Sequence, residues 1–292
     1  MKIATAAYPL DALHSWAQYE DKLSHWVAEA AGQGADLLVF PEYGAMELAT
    51  LDGAEVAGDL HRSVQAITAH MEAANQLHRR LARDHGVHIL GGSAPLAGLQ
   101  DMPVNRAHFF TPGGAMAHQD KQIMTPWERD PWGIAPGAPL QLFETALGKI
   151  GILICYDSEF PLLARALAEA DLILVPSCTE TLRGYWRVRI GAMARALEGQ
   201  CVTAMASLVG AADWSEAVDV STGAGGVFGP PDTGFPETGV LAAGTLNAPG
   251  WTYAEIDLAD ISRVRRDGAV RNRSHWEEQA ARAGSVTNVM LQ

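Results

Sequence analysis

Apolar residues recur along this chain in two rhythms that take turns. Residues 1–10 are mostly apolar after Lys2 and read as a strand. Between 16 and 30, Trp16, Tyr19, Leu23, Trp26, Val27 and Ala30 recur at helical spacing, with Gly32 and Gly34 as stop signals. The run at 36–40 reads as a strand, and Pro41 ends it. A second helical pattern passes through Val64, Ile67, Met71, Leu77 and Leu81 to a strand at 87–91. Strand-like stretches at 106–111 and 115–121 are joined by Pro112–Gly113–Gly114, a hairpin signal. An apolar run at 149–155 is followed by a helix near 160–169, a strand at 171–175, a helix near 186–198 and a strand near 201–207. Strands alternating with helices, with a hairpin among them, predict α/β with a mixed sheet.

One segment answers another. Ala35–Asp36–Leu37–Leu38–Val39–Phe40–Pro41 matches Ala170–Asp171–Leu172–Ile173–Leu174–Val175–Pro176, each after a helix and each closed by proline. A half-repeat and a coincidence in a helix–strand protein are both open readings.

Three places where an apolar run breaks carry chemistry. Cys155 closes one run and opens Tyr156–Asp157–Ser158–Glu159–Phe160–Pro161. A thiol there is held by a rigid sheet beside the crevice where open α/β sheets bind ligands. The other reading is an inert buried thiol. Pro41–Glu42 delivers a carboxylate in the same way, and Asp120–Lys121 delivers one of only four lysines just before Thr125–Pro126–Trp127–Glu128.

The composition narrows the classes. A chain of 292 residues that is 48% hydrophobic holds a substantial core, and no linker or charge block divides it, so a single domain over 1–292 is expected. A net charge of −13 argues against nucleic acid or anionic membrane surfaces as partners. No apolar run approaches the ~18 residues of a membrane span, and Asp11 and His14 interrupt the start before a signal-peptide core forms. Three cysteines are too few and odd in number for a disulfide framework, which fits a reduced, cytoplasmic setting. Ten histidines show no metal-binding spacing, the cluster Gly223–Ala224–Gly225–Gly226 opens no dinucleotide site, and no Gly-x-Ser-x-Gly elbow occurs, so neither metal nor cofactor is expected.

The order Glu, Lys, Cys at three strand ends resembles the carbon–nitrogen hydrolase (nitrilase) superfamily, in its amidase or carbamoyl hydrolase-like branch. The matching stretches are PEYGAME (41–47), the Asp120–Lys121 pair ahead of Pro126–Trp127–Glu128, and GILICYDSEFP (151–161). Residues 136–157 and 185–207 extend the likeness, which covers about 1–257. The resemblance implies a four-layer α–β–β–α sandwich with two mixed sheets, built from two similar halves. It also implies a homodimer or larger homo-oligomer, to which the tail from about 258, with Arg263, Arg265, Arg266, Arg271 and Arg273, would supply subunit or surface contacts.

Amide hydrolysis needs a nucleophile, a proton donor for the leaving amine and a site for the oxyanion. A free thiol has a pKa of about 8.5, so Cys155 needs a cation or base beside it. Lys121 can be the cation, and Glu42 the base that takes the thiol proton, returns it to ammonia and later activates water. Lys121 and the N–H after Cys155 would hold the oxyanion. The resemblance assigns these same roles, and gives Glu128 the task of orienting substrate or the catalytic Lys121 and Glu42. An exposed loop acid paired with Arg129 is the bland alternative for Glu128.

Nitrilases of the superfamily usually follow the nucleophile with Trp and Glu, whereas Tyr156–Asp157 here tilts toward amides. Members acting on carboxylate-bearing substrates often carry arginine three or four residues after the cysteine, where this chain has Ser158 and Glu159. An unpaired acid there would repel a carboxylate, so a neutral or amine-bearing amide is expected. Its binding residues are expected among Tyr156, Glu159, Trp127, Trp132, Thr179 and Tyr185, with Glu159 facing either the pocket or a subunit interface. Cys178 and Cys201 are read as structural thiols, Cys178 bordering the pocket. The expected function is thiol-dependent hydrolysis of a small non-peptide amide or N-carbamoyl compound, with water as acceptor. A nitrilase, an acyl transferase and an inactive homologue serving as a scaffold are the alternatives.

Overall fold

A computed structural model describes residues 1–98, 102–284 and 286–291. The first half runs β1 (Lys2–Pro9), α1 (Trp16–Gly32), β2 (Leu37–Val39), α2 (Ala54–Ala57), α3 (Leu60–His85), β3 (His88–Leu90), β4 (Ala94–Leu96), β5 (Val104–Phe110), β6 (Met116–Asp120) and α4 (Pro126–Arg129). The second runs β7 (Leu142–Thr145), β8 (Gly148–Ile152), α5 (Pro161–Ala166), β9 (Leu172–Ser177), α6 (Leu182–Gly199), β10 (Val202–Ala211), β11 (Val220–Ser221), β12 (Gly226–Phe228), β13 (Val240–Ala243), β14 (Gly250–Glu255) and α7 (Leu258–Asp267).

Local chemistry sets the helix ends. Ser15 starts α1 by accepting the Gln18 N–H, and the helix buries Tyr19, Leu23, Val27 and Ala30 along one stripe. Asp59 caps α3 through the His61 and Arg62 N–H groups, and Gly86 ends it in the left-handed conformation. The predicted hairpin forms as β5–β6, with Arg106 opposite Asp120 and Phe110 opposite Met116. Sequence periodicity does not reveal β4, which carries Pro95 and, among the described residues, pairs only with β5. Proline is tolerated at such an edge because no ladder N–H is needed.

Strands β1, β2 and β3 run parallel, as do β8, β9 and β10, and antiparallel strands flank both sets. Leu38 faces the core under α1 and α3, with Val27, Ala30 and Leu77. Leu37 and Val39 point the opposite way, into the core that holds Ile152, Leu174 and Ala204. The result is helix, sheet, sheet, helix. The two predicted sheets are not separate, however. The end of β1 pairs with the end of β10, Ala7 opposite Ser207, so hydrogen bonding continues from one half into the other.

The sequence echo is a structural repeat. Asp36 at the head of β2 exchanges hydrogen bonds with Lys2 on β1: the Lys2 N–H donates to the Asp36 carboxylate at 2.7 Å, and the Asp36 N–H to the Lys2 carbonyl at 2.8 Å. Asp171 does the same with Lys149 on β8, at 3.0 and 2.7 Å.

Two of the tail arginines bond within the chain. Arg265 donates to the carbonyls of Gln200 and Ala170 and to Asp171, while Arg273 pairs with Glu169. Among the described residues, no helix is long and apolar enough to cross a membrane.

Candidate active site

Three chain corners meet at the junction of the two halves. At the first, the chain leaves β2 and turns at Tyr43, whose φ is 58°. That corner is pressed against the backbone after β3: a Cβ on Gly92 would lie 2.7 Å from the Cα of Gly44, so only glycine fits. At the second, Lys121 follows β6 and still pairs through its N–H with the Asn105 carbonyl, at 2.9 Å. At the third, Cys155 opens a short turn over Cys155–Glu159 with φ at 49°, a left-handed conformation costly for a side chain. Helix α6 closes on this turn through Gly191, where an added Cβ would meet the Ser158 carbonyl at 2.9 Å.

Glu42, Lys121 and Glu128 form one buried network. The Lys121 Nζ donates to Glu42 Oε1 at 2.7 Å and to Glu128 Oε1 and Oε2 at 2.7 and 2.8 Å. Glu42 Oε1 also accepts from Asn105 Nδ2 at 3.0 Å, and Oε2 accepts the Cys178 N–H at 3.0 Å. Glu128 is aimed by a capping box: its Oε2 accepts from the N–H and hydroxyl of Thr125, which begins α4. Tyr43 donates its hydroxyl to Glu128 Oε1 at 2.5 Å. Glu128 is therefore no exposed acid paired with Arg129, whose guanidinium turns to the Met124 carbonyl. The Cys155 thiol faces the Glu42 carboxyl group and lies 3.6 Å from the Cys178 carbonyl.

Burial and one shared cation split the two carboxyls. Burial raises the pKa of Glu42, with Lys121 opposing. Burial acts in the same sense on Glu128, but the Lys121 ammonium, together with the hydrogen bonds from Tyr43 and Thr125, holds Glu128 low. Burial disfavours the Lys121 charge, yet the two carboxylates facing it raise its pKa well above the usual lysine range. Burial, and then Glu42, push the Cys155 thiol up. Pairs of carboxyls driven apart in this way mark acid–base work. Glu128 stays ionised beside Lys121, and Glu42 is the group able to hold a proton.

These side chains line a cavity of about 390 Å³. Trp127, Tyr156, Glu159 and Thr179 also line it, as do Trp132 and Cys178. Tyr185 does not. It is buried in the second-half core and accepts a hydrogen bond from Arg189. Glu159 faces the cavity and is not unpaired, since Arg187 Nε of α6 donates to it at 3.3 Å and lines the same space. Glu180, Glu216 and Asp219 complete the rim. Among the described residues, no group of three or more His, Cys, Asp or Glu is arranged to hold a metal ion.

Sequence reading assigned no role to Tyr43, Asn105 or Asp157. Tyr43 and Asp157 sat inside the quoted motifs. Asn105 lies across the hairpin from Lys121, and only the strand register brings it to the site. Asp157 is fully buried and accepts the backbone N–H groups of Gln122, Ile123 and Ile154, tying the chain after Lys121 to the chain before Cys155.

Comparisons with known proteins agree with this geometry. A family model described as carbon-nitrogen hydrolase matches residues 2–266. The chain is similar to a probable hydrolase, YhcX, of Bacillus subtilis (strain 168), with 34% identity over 273 residues. That match covers 93% of this chain but 52% of the relative, so the chain spans about half of that protein. Nitrilase 1 of Arabidopsis thaliana is 26% identical over 84% of this chain and 75% of its own length. Among solved structures, an amidase variant from Nesterenkonia sp. AN1, with acrylamide added at its active-site cysteine, matches with 26% identity and a TM-score of 0.66. The alignment covers 91% of this chain and 96% of that one. Saccharomyces cerevisiae Nit3, of branch 10 of the nitrilase superfamily, shares the fold at 21% identity and a TM-score of 0.70, over 91% and 93% of the two chains. With a thiol, a lysine and two glutamates gathered in one cavity, and a family match along most of its length, this chain belongs to the carbon–nitrogen hydrolase family.

Proposed function

We propose that the chain is a single amidase domain that hydrolyses a small non-peptide amide or N-carbamoyl compound through a thioester on Cys155. The observation carrying this reading is the Lys121 ammonium held 2.7 Å from both Glu42 and Glu128 in the cavity that Cys155 also lines. In this scheme Cys155 waits as a thiol and gives its proton to Glu42 as sulfur attacks the carbonyl carbon. Lys121 and the Tyr156 N–H hold the oxyanion; one such donor is worth about 10²–10³ in rate. The intermediate collapses, Glu42 returns the proton to the amine, and ammonia leaves. Glu42 then takes a proton from a water as its oxygen attacks the thioester carbon; the C–S bond breaks, Glu42 returns that proton to the Cys155 sulfur, and the acid leaves.

The rim supports a neutral or amine-bearing substrate, since Glu159, Glu180, Glu216 and Asp219 face a single cation, Arg187. A nitrile substrate is the second reading, favoured by the likeness to Nitrilase 1. A homo-oligomer is supported by the exposed apolar side chains Leu182, Trp186 and Ile190 along α6, beside Leu162 of α5. Three free thiols suit a reducing, cytoplasmic compartment.

Intact-mass analysis after incubation with a panel of primary amides tests the reaction. An acyl adduct that maps to Cys155, accompanied by ammonia, is expected, and Cys155→Ala abolishes both. Acid formed from nitriles but never from amides would replace this reading with the second.

A further inference from the structure

Asn105 sits in β5, fully buried, and does not line the cavity. Its carbonyl accepts the Lys121 N–H at 2.9 Å and its Nδ2 donates to Glu42 Oε1 at 3.0 Å. Its Oδ1 is buried with no hydrogen-bond partner among the described residues. Buried polar atoms are nearly always paired, and an orphan is costly. The opposite amide orientation is worse, because it sets oxygen against the Glu42 carboxylate. A leucine of similar size would remove the orphan, so what keeps an amide here is its N–H.

That N–H has a specific effect on Glu42. Each carboxylate oxygen has about two lone-pair sites. Oε1 accepts from Lys121 at 2.7 Å and from Asn105, two groups that only donate toward it. Oε2 accepts one backbone N–H, that of Cys178, and keeps a site open. We infer that Asn105 is a positioning residue that directs the transferred proton to Oε2 of Glu42 and stabilises Glu42 in its ionised form. Asn105 acts through Glu42 and touches no substrate. The inference rests on the proposed role of Glu42 as base.

The test compares Asn105→Leu with the parent protein on an amide that the parent hydrolyses. Loss of a donor from the carboxylate raises the Glu42 proton affinity, so the acid limb of the kcat/KM profile moves to higher pH by about one unit, as expected for a lost hydrogen bond to the charged form. Above that limb we expect kcat to fall about tenfold, because the proton is no longer directed to Oε2 and this outweighs the gain in Glu42 basicity, while KM changes less than about threefold. The thermal midpoint holds or rises because the orphan oxygen is gone. A folded Asn105→Leu whose pH profile superimposes on the parent overturns the inference. Asn105→Ala, which cannot overpack, is read the same way if leucine does not fold. Failure of both to fold assigns Asn105 to the fold alone and overturns it as well. A parent protein that releases no ammonia from any amide fails the hydrolase reading itself, before any variant is compared.

Discussion

The Asp157 carboxylate accepts the Ile123 N–H at 2.8 Å and so fastens the segment leaving Lys121 to the turn that presents Cys155. It also accepts the N–H groups of Gln122 and Ile154, and all of these donors lie on backbone that no helix or strand ladder satisfies. Asp157→Ala strands them. With three donors at about 1–3 kcal/mol each, a loss of about 3 kcal/mol or more is expected, together with loss of activity. Denaturant unfolding measures it; a midpoint equal to the parent's would refute the clasp.

Glu128→Gln separates charge from shape. Glutamine at the third helical position still completes the Thr125 capping box, so α4 should survive and the melting temperature stay within a few degrees. Among the described residues Lys121 then hydrogen-bonds to one carboxylate, Glu42, which holds Glu42 ionised and makes it a poorer acceptor of the thiol proton. Steady-state ammonia release should show kcat lower by about 10²-fold, the size of a lost acid–base contribution. A kcat within threefold of the parent would remove Glu128 from the machinery.

The Glu159–Arg187 pair at the cavity mouth sets substrate charge. Glu159→Gln frees the Arg187 guanidinium, so the ratio of kcat/KM for an acidic amide over a matched basic one should rise. Both side chains are partly exposed, so the gain is about 1 kcal/mol, roughly five- to tenfold at low salt, and shrinks at high salt. An unchanged ratio at low salt would place the selecting charge elsewhere on the rim.

His78 predicts how stability responds to acid. It is buried against Phe110, its Nδ1 lies 2.8 Å from the Ala74 carbonyl, and burial lowers its pKa to about 4. The unfolded chain takes up this proton near 6.5, whereas the folded chain does so only near 4. The native state binds fewer protons in that window, so this contribution is whole above about pH 6.5 and is lost as pH falls toward 4, by about 3 kcal/mol. Unfolding free energies measured across that range should fall more steeply for the parent than for His78→Leu. Parallel curves would contradict the assignment.

Much of this protein was legible before its coordinates. Helical spacing placed α1 and α3, because their buried stripes follow the helix turn, and Pro112–Gly113–Gly114 marked the β5–β6 hairpin. The strands after residue 207 escaped, being short and defined by partners distant in sequence. So did β4, whose Pro95 is compatible only with an edge.

The sequence by itself determined the alternation of strand and helix and the breaks that carry Glu42, Lys121 and Cys155. Those features depend on periodicity, proline and residue type, all of which are local. Tertiary structure alone decided that Lys121 is shared by two carboxylates, that Arg187 pairs with Glu159, that Tyr185 lies in the core, and that Asn105 and Asp157 hold the site. Each of these joins residues brought together by strand register or by the meeting of the two halves. Hydrogen bonds across such distances leave no period in the chain.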